Sequence, residues 1–508
     1  MYTFSSKLKT FSFVLMIVGI LGIGYGFLTA PKTIQDVEKI LKEEEAAHHG
    51  GGHEAAATHE AAGAESHEAA AATHEETAKT AEHSTAVEHE EAVAETTHDT
   101  IAKDTLAAVA VAEPAHAEHA ENTAEAHTEA HADEHAEHVE HVFHQLQNKP
   151  WAALYVALIF FLLITMGVLA FYGIQQVAQA GWSPVLFRVM QGITSFLPVI
   201  SVIFFVFLLL SGFHLNHLFV WMKEGVTDPT SPNYDEIIAG KSGYLNFAFW
   251  ISRAAIFLLG WNVYRYLSRK NCLAQDEASD DVFYKKNFKM SAAFLVFFIV
   301  SESIMAWDWI MSIDPHWFST LFGWYVFASF FVSGITVIQL VTIYLKSKGY
   351  LENVNSSHIH DLSKFMFGIS VFWTYLWFSQ FMLIWYANIP EEVTYFKTRI
   401  EVYNLPFFGA FFMNFVFPIL LLINSDFKRI YWIVVMGGIV ILAGHYIDFF
   451  NMIMPGTVGD RWFIGVPEIS ALLFFFGLFI YVVFNALTKA PLVPKRNPFI
   501  EESKHFHY

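Results

Sequence analysis

The sequence predicts an all-α membrane protein that crosses the bilayer about ten times. Of its 508 residues, 54% are hydrophobic and 17% aromatic, whereas only 16% are charged; soluble domains usually carry about a quarter charged residues. The apolar residues fall into runs of roughly 20, the length that an α-helix needs to cross about 30 Å of hydrocarbon. Because lipid offers the backbone no hydrogen bonds, such runs have to form helices.

Ten spans follow from these runs, and the positions of Lys and Arg orient them. With the N-terminus inside, 18 of the 30 Lys and Arg residues fall on the cytoplasmic side and only five in the short outer loops. Because short cytoplasmic loops retain positive charge, both termini are predicted to be cytoplasmic. The predicted spans cover residues 11–30, 150–172, 188–213, 246–266, 290–312, 320–345, 364–388, 403–424, 429–452 and 468–488.

The first span also has features of a signal peptide, because Lys7 and Lys9 precede its apolar stretch. The apolar run extends for about 20 residues, which is longer than a usual signal-peptide core. We therefore favour an uncleaved N-terminal transmembrane helix within residues 1–30. Residues 150–490 would form a nine-helix membrane domain, followed by a cytoplasmic tail at 491–508.

Residues 31–149 are predicted to form a low-complexity segment on the periplasmic side. Its central part, 43–144, consists almost wholly of Ala, Glu, His and Thr and holds 17 of the 25 His residues. Such a composition cannot bury enough apolar surface to offset chain entropy. His-Glu pairs, as at His53 and His67, would suit a buffer for protons or for transition metals. The irregular spacing of the histidines favours the other interpretation, a solvated tether.

Several classes of redox and nucleotide chemistry are excluded by what the membrane region lacks. Cys272 is the one cysteine, so the chain cannot ligate an iron–sulfur cluster or attach haem through a Cys-x-x-Cys-His motif. Only His214, His217 and His445 lie in or beside the spans, too few for the haem ligands of a di-haem or haem–copper subunit. The chain also has no Walker A motif. We expect no metal site in the membrane region, no covalently bound cofactor and no nucleic acid partner.

Ionisable residues at membrane depth are costly and indicate function by default. Arg253 lies on the order of 10 Å below the outer surface, and Glu302 and Asp308 lie about 18 and 27 Å from the inner end of span five. In span nine, His445 and Asp448 are three residues apart and share one helix face. We predict that Glu302, Asp308, His445 and Asp448 transfer protons and that Arg253 is their counter-charge.

Structural alternatives exist for each of these residues. Arg253 and Glu302 would also suit an ion pair that joins two helices, and Asp308 would suit a solvated residue or a cap for the turn at 312–315. The aromatic stretch 373–380 is interpreted as helix packing combined with an interfacial belt.

Three stretches of the membrane region have long and specific sequences: Asp308–Ser319 with Gly323, Phe378–Glu392, and His445–Pro455. They resemble the ActF-type membrane subunit of alternative complex III, a bacterial quinol:electron-acceptor oxidoreductase, and the resemblance covers roughly residues 150–490. This family is in turn similar to the NrfD/PsrC-type membrane subunits of polysulfide reductase, whose core is a pair of four-helix bundles.

The resemblance implies two four-helix bundles with flanking helices in the bacterial inner membrane. It also implies quinol binding, proton transfer or complex assembly in quinol oxidation, with menaquinol as a diffusible cofactor. His214, Trp309 and Gln380 are weaker candidates for lining a quinol cavity. The implied partners are a sister NrfD-like membrane subunit, an iron–sulfur protein, multihaem and monohaem cytochromes c, and in some complexes a terminal oxidase. Haem and iron–sulfur clusters would lie on these partners.

Two other functional classes remain open. A secondary transporter or ion-conducting protein usually has helices broken at mid-membrane, and Pro198 and Pro418 fall within predicted spans three and eight. A purely structural scaffold for the other subunits is the third interpretation.

Overall fold

The membrane-spanning part of the chain is built from ten long apolar helices. The computed structural model describes residues 1–50 and 118–507, and all regular structure in these residues is helical. The number of predicted spans is therefore confirmed, as is the multi-pass membrane architecture. In chain order the helices are α1 Ser6–Thr29, α2 Glu118–Val177, α3 Pro184–Gly212, α4 Phe247–Gln275, α5 Val282–Trp309, α6 Phe322–Ser347, α7 Ser356–Ala387, α8 Asn404–Leu422, α9 Tyr431–Val458 and α10 Val466–Leu487.

Several helices extend beyond the apolar runs that predicted them. Helix α5 begins at Val282 and not at 290, and α7 begins at Ser356 and not at 364. In α7 the extra turns are stabilised by Asn355, whose side chain accepts hydrogen bonds from the backbone N–H groups of Ser357 and His358 at 2.9 and 3.3 Å. Such an N-cap satisfies donors that the helix leaves free. Hydropathy thus locates the membrane part of each helix, and in α7 a polar cap marks where the helix begins.

The chain divides into two compact units, Met1–Asp36 with Glu140–Tyr508 and Val37–Val139. Most of the His-rich segment, including His53 and His67, lies outside the described residues. Shorter helices also connect the long ones; they are Ile34–Gly50, Glu236–Lys241, Pro390–Glu401 and Ile500–Lys504.

The connections of the larger unit gather at two ends. The terminal end holds residues 178–183, 276–281, 348–355 and 489–507; here Ser503 Oγ donates to the carbonyl of Trp182 at 2.6 Å. The loop end holds residues 213–246, 310–321, 388–403 and 459–465. There the Asn148 amide donates to the carbonyl of His217 at 3.1 Å. Each long helix runs from one end to the other.

Helices α2 and α6 touch backbone to backbone inside the bundle. A Cβ added to Gly167 would lie 2.4 Å from the carbonyl oxygen of Phe330, and one added to Gly334 would lie 2.8 Å from the backbone of Gly167. No side chain fits at either position. Small residues allow such close approach between membrane helices, where dispersion and not hydrophobic burial provides most of the attraction.

Helix α1 packs along α10 in the same way. Ser12, Gly19 and Gly26, spaced seven residues apart, are its buried residues. A Cβ on Gly19 would lie 2.6 Å from the backbone nitrogen of Phe474, and one on Gly477 would lie 2.7 Å from the carbonyl oxygen of Ser12. The small residues of α1 therefore form its packing face, and its large apolar residues remain exposed.

A leucine at position 19 is expected to separate α1 from α10. In Gly19→Leu the new side chain would overlap Phe474, and overpacking of this kind costs about 1–3 kcal/mol. Thermal unfolding in detergent should show a lower midpoint for Gly19→Leu than for the natural protein. Gly24→Leu is the matched control, because nothing lies within 4 Å of a Cβ at Gly24. Equal midpoints for the two variants would contradict the α1–α10 contact.

Candidate functional site

Arg253 and Asp308 form a buried, two-pronged ion pair between α4 and α5. Nε of Arg253 donates to Oδ2 of Asp308 at 2.6 Å, and one terminal nitrogen donates to Oδ1 at 2.9 Å. The guanidinium carbon also lies 4.1 Å from the ring centres of Tyr244 and Phe249, which is within the range of cation–π attraction. The pair is thus held by hydrogen bonds on one side and by aromatic faces on the other.

This pairing decides between the structural alternatives for the two residues. Arg253 has Asp308 as its partner and not Glu302. Asp308 is fully buried, which contradicts the solvated alternative. Its backbone carbonyl accepts from Trp250 Nε1 at 2.8 Å and from Ser312 Oγ at 2.6 Å. The arrangement joins α4, α5 and the turn that follows α5.

His445 and Asp448 form the second buried group, in the core of the bundle on α9. His445 Nδ1 and Asp448 Oδ2 are 3.7 Å apart, and Ser329 Oγ of α6 bridges them, 2.9 Å from each atom. Asp448 also accepts from Trp373 Nε1 of α7 at 2.9 Å and from the Tyr325 hydroxyl of α6. Three donors from two other helices therefore surround one carboxylate.

The hydrogen bonds fix the tautomer of His445. Ser329 has a single hydroxyl hydrogen, which it donates to Asp448. His445 Nδ1 must then be the donor in its own bond to Ser329. A neutral imidazole with its hydrogen on Nδ1 has a lone pair on Nε2. This Nε2 is buried and has no hydrogen-bond partner among the described residues. The group therefore presents a proton acceptor.

A distortion in α8 brings Asn414 against His445. Residues Phe412–Val416 form one π-helical turn, and Nδ2 of the Asn414 amide lies 3.4 Å from His445 Nδ1. Because Nδ1 carries the hydrogen, the amide is assigned with its oxygen in this place; O and N of an amide are assigned from such networks. Gly444 permits the approach, since a Cβ there would lie 2.1 Å from the end of the Asn414 side chain. π-turns are frequent at functional sites.

Glu302 stands apart from both groups. It is buried in α5, and its one hydrogen bond in the described structure joins Oε2 to the hydroxyl of Ser303 at 3.1 Å. Its Oε1 has no partner among the described residues. No hydrogen bond or ion pair in this part of the chain joins Glu302, the Arg253–Asp308 pair and the His445–Asp448 group to one another.

The three weaker candidates occupy unlike surroundings. His214 is exposed in the connection after α3, with a φ of 59°. Trp309 is fully buried beside Phe204, with ring centres 4.6 Å apart. Gln380 accepts from Ser319 Oγ at 2.9 Å. The three residues do not line one common cavity among those described.

Gln380 does line a small cavity next to the His445–Asp448 group. The cavity has a volume of about 10 Å³, close to what one water molecule needs. Tyr325, Arg399 and Asn451 also line it. Arg399 is buried, donates to the carbonyls of Asn451 and Tyr395 at 3.1 and 2.7 Å, and has no acidic partner within 4 Å in the described structure.

Sequence reasoning missed the residues that other helices contribute to this group: Tyr325, Ser329, Trp373, Asn414 and Arg399. Trp373 was predicted to be a packing or interfacial residue; it is fully buried and donates to Asp448. The i, i+4 spacing of Tyr325 and Ser329 places both on one face of α6, and this signal was present in the sequence. The position of Arg399 in a short connecting helix gave no such signal.

A third polar group lies toward the terminal end and contains no predicted site residue. The Tyr172 hydroxyl is its centre, within 3.0–3.2 Å of the side chains of Gln176, Gln191, Ser268 and Asn287. These residues belong to α2, α3, α4 and α5. The group therefore ties together the four helices of the first half of the bundle.

Comparisons with known proteins leave the functional assignment to the structure. No protein-family model matches the chain, and a search among curated proteins gives no significant match. The arrangement of the buried polar groups is the basis for any proposal.

Removal of the Asp308 carboxylate is expected to destabilise the protein strongly. In Asp308→Asn the Arg253 guanidinium loses its counter-charge in a buried site, a change that costs about 3–5 kcal/mol. Replacing both residues together, as in Arg253→Met with Asp308→Leu, should restore most of the loss, because no unpaired charge remains.

The measurement is the unfolding midpoint in detergent. Asp314→Asn is the control, since the Asp314 side chain is 41% exposed and its ion-pair distance to His316 is 3.9 Å. Equal stability of Asp308→Asn and Asp314→Asn would refute a structural role for the buried pair.

Proposed function

We propose that the chain is an integral membrane subunit of a respiratory quinol-oxidising complex and that its His445–Asp448 group accepts and passes on protons. The observation that carries the proposal is the buried, unpartnered Nε2 of His445 beside a carboxylate with three donors. The resemblance to the ActF-type subunit of alternative complex III supports the assignment to such a complex.

The chemistry of the group suits transient protonation. When His445 Nε2 takes a proton, the imidazolium is 3.7 Å from the Asp448 carboxylate, which stabilises the positive charge. The Ser329 hydroxyl between them holds the ring in place by accepting the Nδ1 hydrogen. A histidine arranged in this way can accept a proton at Nε2 and pass it on.

A route for the proton leads from this group toward the loop end. Tyr325 contacts Asp448 with its hydroxyl and also lines the 10 Å³ cavity with Gln380 and Arg399. One water molecule in this cavity would connect the phenol to the Gln380 amide, which meets Ser319. The positive charge of Arg399 would favour release of the proton over its return. With the loop end facing outward, as the Lys and Arg distribution predicts, release would occur on the periplasmic side.

The quinol itself and the electron acceptor belong to the partners in this proposal. These partners are the sister NrfD-like membrane subunit, the iron–sulfur protein and the cytochromes c, with a terminal oxidase in some complexes. Glu302 is a second protonatable group in the first half of the bundle, separate from His445. Arg253 and Asp308 stabilise the packing of α4 against α5, the helix that carries Glu302.

An ion-conducting or transport function is the second candidate, and the π-turn at Phe412–Val416 is the observation that favours it. Transporters place interrupted helices beside their binding sites, and this turn brings Asn414 to His445. Both candidates use the same residues for proton movement, so they differ chiefly in whether redox partners bind the chain.

The proton-transfer proposal predicts a loss of turnover in His445→Phe. Phenylalanine keeps an aromatic ring but removes Nε2, and loss of a positioned acid–base group typically lowers rates by roughly 10²–10⁴-fold. Quinol-dependent turnover and proton release of the purified complex should fall by at least tenfold, and Glu302→Gln should lower them as well. His505→Phe is the control, because His505 is exposed at the terminal end. Unchanged rates in His445→Phe and in Glu302→Gln, with the complex assembled, would exclude this role.

If the chain belongs to a respiratory complex, it should co-purify with partners that carry c-type haem. Mild-detergent purification of the tagged chain should yield a preparation with the absorption bands of c-type haem and with extractable menaquinone. A colourless preparation without partners or quinone would reject the respiratory assignment. It would favour the transport function, and the His445 variant would then be tested by proton flux into vesicles.

A further inference from the structure

We propose that His144 and His217 together bind one divalent transition-metal ion at the loop end of the larger unit. The site is separate from the proton-transfer group and does not depend on the proposed respiratory function. It lies where the His-rich part of the sequence ends, and it gives a role to a segment that the proposed function leaves unexplained.

Hydrogen bonds to the backbone of His217 hold this residue beside α2, the helix that carries His144. His144 lies on α2, one turn before Asn148. The Asn148 amide donates to the carbonyl of His217 and accepts from its N–H group, both at 3.1 Å. Asn148 is buried. The position of His217 relative to α2 is therefore fixed by two hydrogen bonds from one side chain.

The separation of the rings suits a shared metal ion. Their centres are 5.6 Å apart and their planes make an angle of 74°. Metal–nitrogen bonds of about 2.0–2.1 Å place the centres of two imidazoles on one tetrahedral ion roughly 5–5.5 Å apart. An edge-to-face contact between two aromatic rings has a similar spacing. The surroundings of the ring nitrogens therefore have to distinguish a metal site from such a contact.

The nitrogens of His144 have the environment of a metal ligand. Its Nδ1 is buried and has no hydrogen-bond partner among the described residues. Its Nε2 lies 3.8 Å from Oε1 of Glu140, one turn earlier on the same helix. Ligating histidines commonly direct their second N–H toward a carboxylate, which orients the ring and raises its basicity. His144 thus has one nitrogen free for an ion and the other facing a supporting acid.

His217 contributes the second imidazole, and its ring meets that of His144 edge to face. Carboxylate and imidazole together suit Zn²⁺, Cu²⁺ or Ni²⁺.

A polar cavity lies beside His217. It has a volume of about 230 Å³, and Asn148, Asn216 and Lys32 line it together with His217. No three His, Cys, Asp or Glu side chains in residues 1–50 and 118–507 already stand together as a ligand set. Water that reaches His217 from this cavity would complete the coordination.

Residue-resolved footprinting of the full-length protein with Zn²⁺ tests the site. Diethyl pyrocarbonate modifies free imidazoles, and mass spectrometry then locates each modified histidine. With one equivalent of Zn²⁺, compared with an EDTA-treated sample, His144 and His217 should react at least tenfold more slowly. His505 and His507, which are exposed at the terminal end, are the controls and should react at nearly unchanged rates.

Two variants decide whether the histidines share one ion. His217→Ala should remove the protection of His144, and Glu140→Gln should weaken Zn²⁺ binding at least tenfold in competition with a chelator, with the two ring ligands still present. Protection spread evenly over all histidines, or His144 protected equally in His217→Ala, would overturn the proposal. The ring contact would then be an ordinary aromatic one.

Discussion

The backbone contact between α2 and α6 at Gly167 and Gly334 is the constraint on which the membrane unit depends. Membrane helices attract each other through close packing, so a pair of glycines that lets two backbones touch defines a fixed crossing point. Helix α6 continues from this crossing to α9, where a Cβ on Gly438 would lie 3.1 Å from Thr336. Ser329 directly precedes Phe330, whose carbonyl oxygen faces Gly167. Its distance to His445 is therefore set by glycines that take no part in the chemistry.

Among the buried polar groups of the described residues, the atoms without a hydrogen-bond partner are as informative as the atoms that have one. Most buried polar atoms in proteins have hydrogen-bond partners, and an exception needs a physical reason. Asp448 accepts three hydrogen bonds and Asp308 has a complete salt bridge. Nε2 of His445 and Oε1 of Glu302 are among the buried atoms without a partner in the described residues. Both belong to residues for which the sequence predicted proton transfer.

The sequence predicted the ten helices because length and apolar content are local properties. It also placed His445 and Asp448 on one face, since their spacing along α9 is sufficient for that. The partners could not be predicted in the same way. Trp373, Ser329 and Asn414 come from three other helices, and their meeting depends on crossing points that hydropathy does not encode. The pairing of Arg253 likewise depends on how α4 and α5 are aligned, and depth estimates did not separate Asp308 from Glu302.

The ion pair between α4 and α5 also bears on how the chain enters the membrane. Helix α4 is the least apolar of the ten spanning helices and contains Arg253. A lone arginine in a membrane helix opposes insertion by about 2.5 kcal/mol or more at the helix centre. Asp308 lies on the very next helix, so the two segments can partition into lipid as a hairpin with their charges already matched. The ion pair therefore makes the pair of helices, and not the single helix, the unit of insertion in this part of the chain.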